Sequence, residues 1–358
     1  MGSNWLVGLD IEGLRNIHRA RLESDAPLVW LSGKNGAGKS TVLEAIYLLA
    51  RGRTYRGTKF GPVVNRNMRA TQIRGCFSVD AETSVEIRYR QDGTGSDRET
   101  MPPDAFGRDR VGSWFPLKLV TDNPQGLIEG DPQLRRLFLD WNGLLWNNRL
   151  GEARRTFQRV LTQRNAALKG GGKYSGEWDR AFVETGEAVD ALRSGFVSPL
   201  RSGFDALKGT FRFLEDVELV YERGWRKDLG LGEMLDAVRS QETARGFSVA
   251  GPHRADLLFV RDGRRAAFSR GQMKVVVCLL QLACEGLHVR QGLERAIWLL
   301  DDIESDLDEE NARSIWSLFV ETGSQLFASG VYPRSKALDV QHQFAMFHVE
   351  HGALTRQD

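Results

Sequence analysis

The sequence predicts an α/β fold that is interrupted by a mainly helical insertion. Short apolar segments at 27–31, 296–300 and 325–328 alternate with helical patterns, which indicates a largely parallel sheet. From Asp131 the pattern becomes helical and stays so as far as residue 245. We therefore expect a sheet-containing lobe with a helical lobe inserted into it.

The predicted organisation has three chain segments in two lobes. Residues 1–130 form the N-terminal part of the first lobe, 131–245 form the helical second lobe, and 246–358 complete the first lobe. Residues 72–79 and 84–90 each alternate apolar and polar side chains, which predicts a small antiparallel sheet within the first segment.

Charge is balanced over the chain but unevenly placed. The net charge of the 358 residues is +2, yet residues 149–173 are basic with a single acid, Glu152, and residues 301–310 are acidic with no base. The basic region suits a polyanion, and the acidic region suits a metal ion. No segment approaches the roughly 20 apolar residues of a membrane helix. Of the 3 cysteines, Cys278 and Cys284 lie in an apolar segment, which fits buried thiols in a reducing cytoplasm.

Residues 33–40 contain a phosphate-binding loop. They read G-K-N-G-A-G-K-S and match G-x-x-x-x-G-K-[ST] at every specified position, between an apolar strand and an amphipathic helix. The glycines let backbone N–H groups face phosphate oxygens, Lys39 reaches the β- and γ-phosphates, and the Ser40 hydroxyl is a Mg²⁺ ligand. The predicted ATP-binding residues are Gly33, Lys34, Asn35, Gly36, Ala37, Gly38, Lys39, Ser40 and Thr41.

Two carboxylates follow a predicted buried strand. The apolar segment 296–300 ends in Asp301 and Asp302. In doubly wound sheets such a strand end lies beside the phosphate loop. Asp301 is then expected to hold Mg²⁺, and Asp302 to orient or deprotonate the attacking water. The competing interpretation is that the acids from Asp302 to Asp308 simply cap the next helix.

A second anion-binding segment lies much further along the chain. Ser269, Arg270, Gly271 and Gln272 open a predicted helix, whose N-terminus can contact a phosphate. Phosphate loop, serine-glycine segment and acidic strand follow one another in the order of ABC-type ATPases. In that class the serine-glycine segment reaches the γ-phosphate held by the other subunit. We therefore expect Ser269, Gly271 and Gln272 to bind ATP across an ATP-dependent homodimer.

Several further segments resemble one protein family. These segments are G-R-T-Y-R at 52–56, G-D-P at 130–132, R-R-L-F-L-D at 135–140, Q-R-N at 163–165, G-P-H-R-A-D at 251–256 and M-F-H-V-E-H-G at 346–352. Together with the phosphate loop they resemble the RecF family of bacterial recombination mediators, which are SMC-like ATPases without a long coiled coil. The resemblance runs from about residue 5 to residue 352.

The resemblance implies an ABC-type P-loop ATPase head with the inserted helical lobe. It also implies ATP-dependent dimerisation on double-stranded, gapped or junction DNA and a weak, DNA-regulated ATPase. The family acts with RecR and RecO to direct RecA loading at single-strand gaps, in DNA repair, replication and the SOS response. Ser329 occupies the switch position, where the family usually has Thr, and would help to place the water. Arg270 stands where Gln is usual, so a diverged paralogue stays open.

Two groups of arginines are candidates for DNA contact. Arg154, Arg155 and Arg159 lie on one predicted helix, and Arg53 and Arg56 follow the phosphate-loop helix. A basic helix face is most often a solvated surface, but beside ATP-driven pairing it becomes a candidate for contact with phosphates.

Other functions are considered from the same features. An ATPase subunit of a nuclease or anti-phage system would need another cluster of carboxylates with Lys or His, and the sequence shows none. The long separation of Lys39 and Ser269 disfavours a transport ATPase.

Overall fold

The chain divides into two compact units. The computed structural model describes residues 5–56, 62–79, 83–102, 116–121, 124–170, 176–333, 335, 337 and 344–357. The first unit comprises Met1–Asn123 with Gly292–Asp358, and the second is Pro124–Gln291. The lobe predicted at 131–245 lies within the second unit, which also includes residues 246–291 because a long helix there packs on another helix of that unit. The predicted lobe boundaries stay a prediction.

The described residues contain 14 strands and a series of helices. The strands are β1 (Trp5–Leu14), β2 (Ile17–Glu23), β3 (Leu28–Ser32), β4 (Ala70–Ser78), β5 (Ser84–Asp92), β6 (Ser96–Met101), β7 (Leu117–Val120), β8 (Glu218–Glu222), β9 (Asp256–Arg261), β10 (Arg264–Arg265), β11 (Ile297–Leu300), β12 (Leu326–Gly330), β13 (Phe344–Glu350) and β14 (Ala353–Gln357). The helices are α1 (Lys39–Arg51), α2 (Gln125–Ile128), α3 (Pro132–Trp146), α4 (Arg149–Lys169), α5 (Asp179–Lys208), α6 (Leu231–Arg245), α7 (Arg270–Arg290) and α8 (Glu309–Glu321), with 3-10 turns at Arg212–Leu214 and Pro252–Arg254.

A six-stranded sheet positions the predicted site in the first unit. Its order is β14-β13-β3-β12-β11-β7, and every pair is parallel except β13 with β14. Every residue of β3, β11 and β12 is buried, as is typical of parallel strands that are covered on both faces. The carboxyl ends of these three strands meet at one edge. The predicted parallel sheet is confirmed.

A second sheet in the first unit is antiparallel, with the order β2-β1-β4-β5-β6. It contains the predicted pair β4 and β5, but it is larger than predicted because β1, β2 and β6 extend it. Helix α1 contributes Val42, Ile46 and Leu49, all fully buried, to a hydrophobic core shared with strands of both sheets. The predicted apolar face of this helix is therefore confirmed.

The second unit is mainly helical and also holds a three-stranded sheet, β10-β9-β8. Its helices enclose an apolar cluster that includes Leu150, Phe157, Phe182 and Leu231. Helix α5 continues through Pro199 to Lys208. Phe196, Val197, Leu200 and Phe204 are buried on either side of the proline, so packing outweighs the loss of one backbone hydrogen bond there.

One helix is long and apolar enough to cross a membrane by length and composition, contrary to the expectation that no segment is. This helix is α7, with 21 residues, but 78% of its most apolar stretch of 18 residues is buried inside the protein. It packs against α5 and buries Lys274 and Glu285. This degree of burial is typical of a helix in the core of a folded protein.

Candidate functional site

The phosphate loop begins where β3 ends. Three of its glycines have positive φ, with values of 147° at Gly33, 81° at Gly36 and 122° at Gly38. A side chain at Gly33 would collide with the carbonyl oxygen of Val349 in β13, so this position requires glycine. Helix α1 starts directly after Gly38, and its first N–H groups face the loop.

Lys39 is held inside this loop. Its ammonium nitrogen donates to the carbonyl oxygens of Gly33 at 2.6 Å and Lys34 at 3.1 Å. Burial lowers the pKa of Lys39, while the neighbouring charges of Asp302 and Asp301 act in the opposite direction. The two carboxylates and the lysine therefore belong to one electrostatic site, as predicted from their positions in the sequence.

Two serine hydroxyl groups from different elements donate to Asp301. The Ser40 and Ser329 hydroxyls each donate to Asp301 Oδ1 at 2.8 Å. The backbone N–H of Asp302 donates to Ser329 Oγ at 2.9 Å. These contacts follow from the sheet order. Asp301 directly follows β11, Ser329 lies near the end of the neighbouring β12, and Ser40 lies in the first turn of α1, after the loop that follows β3. A hydroxyl and a carboxylate this close form an oxygen donor set that suits Mg²⁺.

One acid of the segment 301–310 caps the next helix, and it is neither Asp301 nor Asp302. Helix α8 is capped by Asp308, whose Oδ1 accepts from the Asn311 N–H at 2.8 Å. Asp302 instead has a positive φ of 50°, a conformation that Asp tolerates better than most residues. The competing interpretation, a cap supplied from Asp302 to Asp308, is therefore confirmed for Asp308 alone, and it does not account for Asp302.

Tyr55 is a site residue that sequence reasoning missed. Its hydroxyl donates to Asp301 Oδ2 at 3.2 Å and lies 3.3 Å from the Ser40 carbonyl oxygen. Burial raises the pKa of Tyr55, and the charge of Asp301 raises it further, so the hydroxyl stays a donor. Its position in the G-R-T-Y-R segment after α1 was the available signal. The two oxygens of Asp301 thus accept from three different hydroxyl groups.

The turn between β1 and β2 also contacts the loop. Asn16 Nδ2 donates to the carbonyl oxygens of Gly36 at 3.2 Å and Ala37 at 3.1 Å, while its Oδ1 accepts from the Thr41 hydroxyl at 3.0 Å. The adjacent Arg15 forms an ion pair with Glu44 of α1, and both side chains are buried. Sequence reasoning assigned no role to Asn16 or Glu44. Together these contacts fix the second half of the loop against a neighbouring hairpin.

These residues surround one cavity of about 440 Å³ in the first unit. The residues that line it are Arg15, Asn16, Asn35, Gly36, Gly38, Lys39, Ser40, Thr41, Arg56, Asp301, Asp302 and Ser329. The predicted metal and catalytic residues are therefore brought together around a space of the size typical of small-molecule sites. Arg56, predicted for DNA contact, lines this cavity, whereas Arg53 is exposed.

The predicted residues of the serine-glycine segment lie in the second unit. Ser269 caps α7, its hydroxyl accepting from the Gln272 N–H at 3.3 Å, while the Gln272 side chain accepts from the Ser269 N–H at 3.0 Å. The predicted N-cap is confirmed. Ser269 is exposed and Gly271 is partly exposed, so this helix end faces solvent.

The arginines of α4 differ among themselves. Arg154 forms an ion pair with Asp140 at 2.9 Å. Arg155 and Arg159 are exposed, and no ion pair to either is found in the part of the chain that the structure describes. The charge of Arg154 is therefore already balanced by a protein carboxylate, and that of its neighbours is not.

A phosphate loop on a parallel sheet, with an acidic strand end beside it, defines an ABC-type P-loop ATPase head. The family model described as RecF/RecN/SMC N terminal domain matches residues 5–355. The DNA replication and repair protein RecF of Shewanella oneidensis is 31% identical over 98% of this chain and 99% of its own length. RecF of Pseudomonas aeruginosa strain LESB58 is 31% identical over 98% of this chain and 97% of its own length. The chain belongs to the RecF family.

Solved structures show the same fold. The recombination mediator protein RecF with ATP in the RecFOR pathway has a TM-score of 0.78 at 21% identity, covering 99% of this chain and 98% of that chain. The Smc head domain of Pyrococcus furiosus, with an extended coiled coil, has a TM-score of 0.60 at 14% identity, covering 99% and 96% of the two chains. The predicted ABC-type head with a second, mainly helical part is thus confirmed as the fold class.

Proposed function

We propose that this chain is a RecF-type recombination mediator, an ATP-dependent DNA-binding ATPase of DNA repair and replication in the cytoplasm. The observation that carries the proposal is the cluster around Asp301. Ser40 and Ser329 both donate to Asp301 at 2.8 Å, beside a buried lysine in a phosphate loop. The relatives named DNA replication and repair protein RecF, which match nearly the whole chain, support the biological role.

ATP binding rests on the loop from Gly33 to Thr41. Its backbone N–H groups and the start of α1 offer donors for the β- and γ-phosphates. Lys39 now donates to two loop carbonyls, and an arriving phosphate would be a stronger, charged acceptor for the same ammonium group. Asn16 stabilises the loop conformation by donating hydrogen bonds to the carbonyl oxygens of Gly36 and Ala37.

Ser40 and Asp301 would hold Mg²⁺, since they offer a hydroxyl and a carboxylate within 2.8 Å of each other. When bound, the ion neutralises charge on the phosphates. Tyr55 and Ser329 keep the carboxylate of Asp301 oriented by donating to its two oxygens. We assign Asp302 to the attacking water, as orienting group or general base, with Ser329 fixing its backbone through the 2.9 Å contact.

The exposed start of α7 would complete the site of a second copy. A helix N-terminus attracts an anion, and Ser269, Gly271 and Gln272 place a hydroxyl, a backbone N–H and an amide there. ATP would then hold two copies together, and its hydrolysis would release them. Weak turnover regulated by DNA fits such a switch.

By membership of the family, the ATP-bound dimer would bind double-stranded, gapped or junction DNA and act with RecR and RecO to direct RecA loading. We assign DNA contact to Arg53, which is exposed after α1. Arg56 lies at the phosphate cavity, where it can connect nucleotide and DNA. Contact through phosphates predicts binding that weakens steeply with salt. The DNA role of Arg154, Arg155 and Arg159 stays a prediction.

The test is Lys39→Met in the full chain. Methionine keeps the apolar stem and removes the charge, so ATP affinity should fall at least about 100-fold in calorimetric titration. Lys227→Met, which removes an exposed lysine of the second unit, is the matched control and should bind ATP like the wild type. Nucleotide affinity of Lys39→Met equal to that of the control would refute the assignment of the loop.

A further inference from the structure

A second cavity lies entirely within the second unit, along helices α3 and α4, and neither the fold nor the ATP site accounts for it. Its volume is about 720 Å³. Arginine is its most frequent lining residue, and those arginines are Arg136, Arg154, Arg155, Arg159 and Arg193. Asp140 is the one acid among the described residues that line it.

The positive charge of this cavity is only partly balanced. Asp140 is buried and accepts from Arg193 at 2.8 Å and from Arg154 at 2.9 Å, so its charge is shared between two arginines. Arg136 donates to the Ala255 carbonyl oxygen, and burial lowers its pKa. Within the described residues no ion pair involves Arg136, Arg155 or Arg159. The cavity therefore favours an anionic ligand.

An exposed apolar face adjoins these arginines. Leu134, Leu137 and Trp141 have exposed fractions of 45%, 48% and 44%. They are spaced three and four positions apart on α3, which places them on one side of the helix. Leu137 itself lines the cavity, so the apolar face and the arginines form one surface. We call this surface the arginine groove: Leu134, Leu137 and Trp141 with Arg136, Arg155 and Arg159.

The combination of residues distinguishes a protein ligand from DNA. Phosphate oxygens of DNA are contacted through Arg, Lys, polar side chains and backbone N–H groups, and an apolar side chain offers a phosphate oxygen no hydrogen bond. Protein interfaces are enriched in Arg and Trp, and these two residues often carry most of the binding energy. An apolar face that stays exposed beside charged residues is typical of a protein-binding site.

We propose that the arginine groove binds an acidic segment of a partner protein that also carries apolar side chains. Its carboxylates would pair with Arg155, Arg159 and Arg136. Its apolar side chains would cover Leu134, Leu137 and Trp141. This assignment rests on the second unit alone and stands whether or not the chain hydrolyses ATP.

The test selects ligands for the full-length chain from a displayed library of random dodecapeptides. Peptides retained by the wild type but not by Arg155→Glu/Arg159→Glu should combine Asp or Glu with Leu, Phe or Trp. Their dissociation constants are then measured by fluorescence anisotropy. Both Arg155→Glu/Arg159→Glu and Leu137→Ser/Trp141→Ser should weaken binding at least about 10-fold.

Arg180→Glu is the matched control, because Arg180 is an exposed arginine of the same unit whose ion pair is with Glu184 on its own helix. It should leave peptide binding within about twofold. All the substituted groove residues are exposed, and thermal unfolding at the wild-type temperature would show that the variants fold. Recovery of no acidic peptides, or equal binding to every variant, would overturn the proposal.

Two further measurements test the alternative ligands of the groove, which are DNA and a second copy of this chain. If the arginine groove binds DNA, Arg155→Glu/Arg159→Glu will lower the affinity for a 30-base-pair duplex and reduce the salt dependence of that binding, and no peptide will be selected. If it serves a second copy, the nucleotide-free wild type will sediment as a dimer and Leu137→Ser/Trp141→Ser as a monomer. Either result would overturn the assignment to an acidic partner protein, whereas a monomer with unaltered duplex binding in both variants supports it.

Discussion

The phosphate cavity of the first unit and the start of α7 in the second unit satisfy their polar groups in opposite ways. In the cavity, Asp301 accepts hydroxyl groups that come from three different parts of the chain, Ser40, Tyr55 and Ser329. At the start of α7, Ser269 and Gln272 bond to each other and face solvent. The first arrangement is preorganised within one copy. The second offers an anion-binding helix end that a different molecule can use.

This difference predicts that substitutions in the cavity change chemistry, whereas substitutions at the helix end change assembly. The largest effect on chemistry is expected for Asp302→Asn. Asparagine tolerates the positive φ of this position, so the backbone is kept while the charge is lost. Hydrolysis should fall about 100- to 1,000-fold, with ATP affinity nearly unchanged, as measured by phosphate release and calorimetry.

Glu310→Gln is the control for Asp302→Asn, because it removes a charge from the same acidic segment at an exposed position of α8. It should hydrolyse ATP at the wild-type rate. If Asp302→Asn also turned over within about threefold of the wild type, a role in the attack of water would be excluded.

A smaller effect is expected in the pH dependence of stability, which a buried histidine of the second unit should control. Burial is the main cause that lowers the pKa of His253, in the second unit, to about 4, from about 6.5 in the unfolded chain. Between these values the unfolded chain binds more protons, so stability is lost as pH falls from about 6.5 towards 4. The free energy of unfolding, measured in urea, should be about 1–2 kcal/mol lower at pH 5 than at pH 7.

His253→Gln should reduce this pH dependence, whereas His18→Gln, at an exposed position of β2 in the first unit, should leave it unchanged. Tryptophan fluorescence during urea unfolding provides the measurement. The same pH dependence in all three proteins would show that another group is responsible.

The smallest effect is expected for Tyr55→Phe, which removes one of the hydroxyl groups on Asp301. This bond, at 3.2 Å, is long for a hydroxyl donor, so we expect it to contribute about 1 kcal/mol and the Mg²⁺ concentration for half-maximal hydrolysis to rise about 3- to 10-fold. Tyr47→Phe is the control, since the Tyr47 ring lies edge-on to Tyr55 with centroids 5.2 Å apart. An unchanged Mg²⁺ dependence in Tyr55→Phe would remove Tyr55 from the site.

The sequence predicted those parts of the site that follow from local patterns. The phosphate loop is one continuous motif, and Asp301 and Asp302 follow from an apolar strand that ends in acids. Ser329 was expected from the family resemblance. Tyr55 and Asn16 were missed because their roles depend on contacts between distant segments, such as Tyr55 with Asp301. No local pattern specifies such a contact.

The fold shows the same limit. Strand β6 has few apolar residues and exists through its pairing with β5, so its sequence carries little strand signal. Helix α6 buries only Leu231, Leu235 and Glu242, too few to give a clear helical pattern. Continuous apolar runs predicted β3 and β11, and the helical spacing of apolar residues predicted α1, because the burial of these elements is regular.

The most direct test of the account is sedimentation velocity of the wild type and Ser269→Arg with a slowly hydrolysed ATP analogue. The wild type should sediment as a dimer with the analogue and as a monomer with ADP. Ser269→Arg should bind the nucleotide with wild-type affinity yet remain a monomer, because the arginine fills the space of the facing phosphate. A Ser269→Arg dimer as stable as that of the wild type would contradict a shared ATP site.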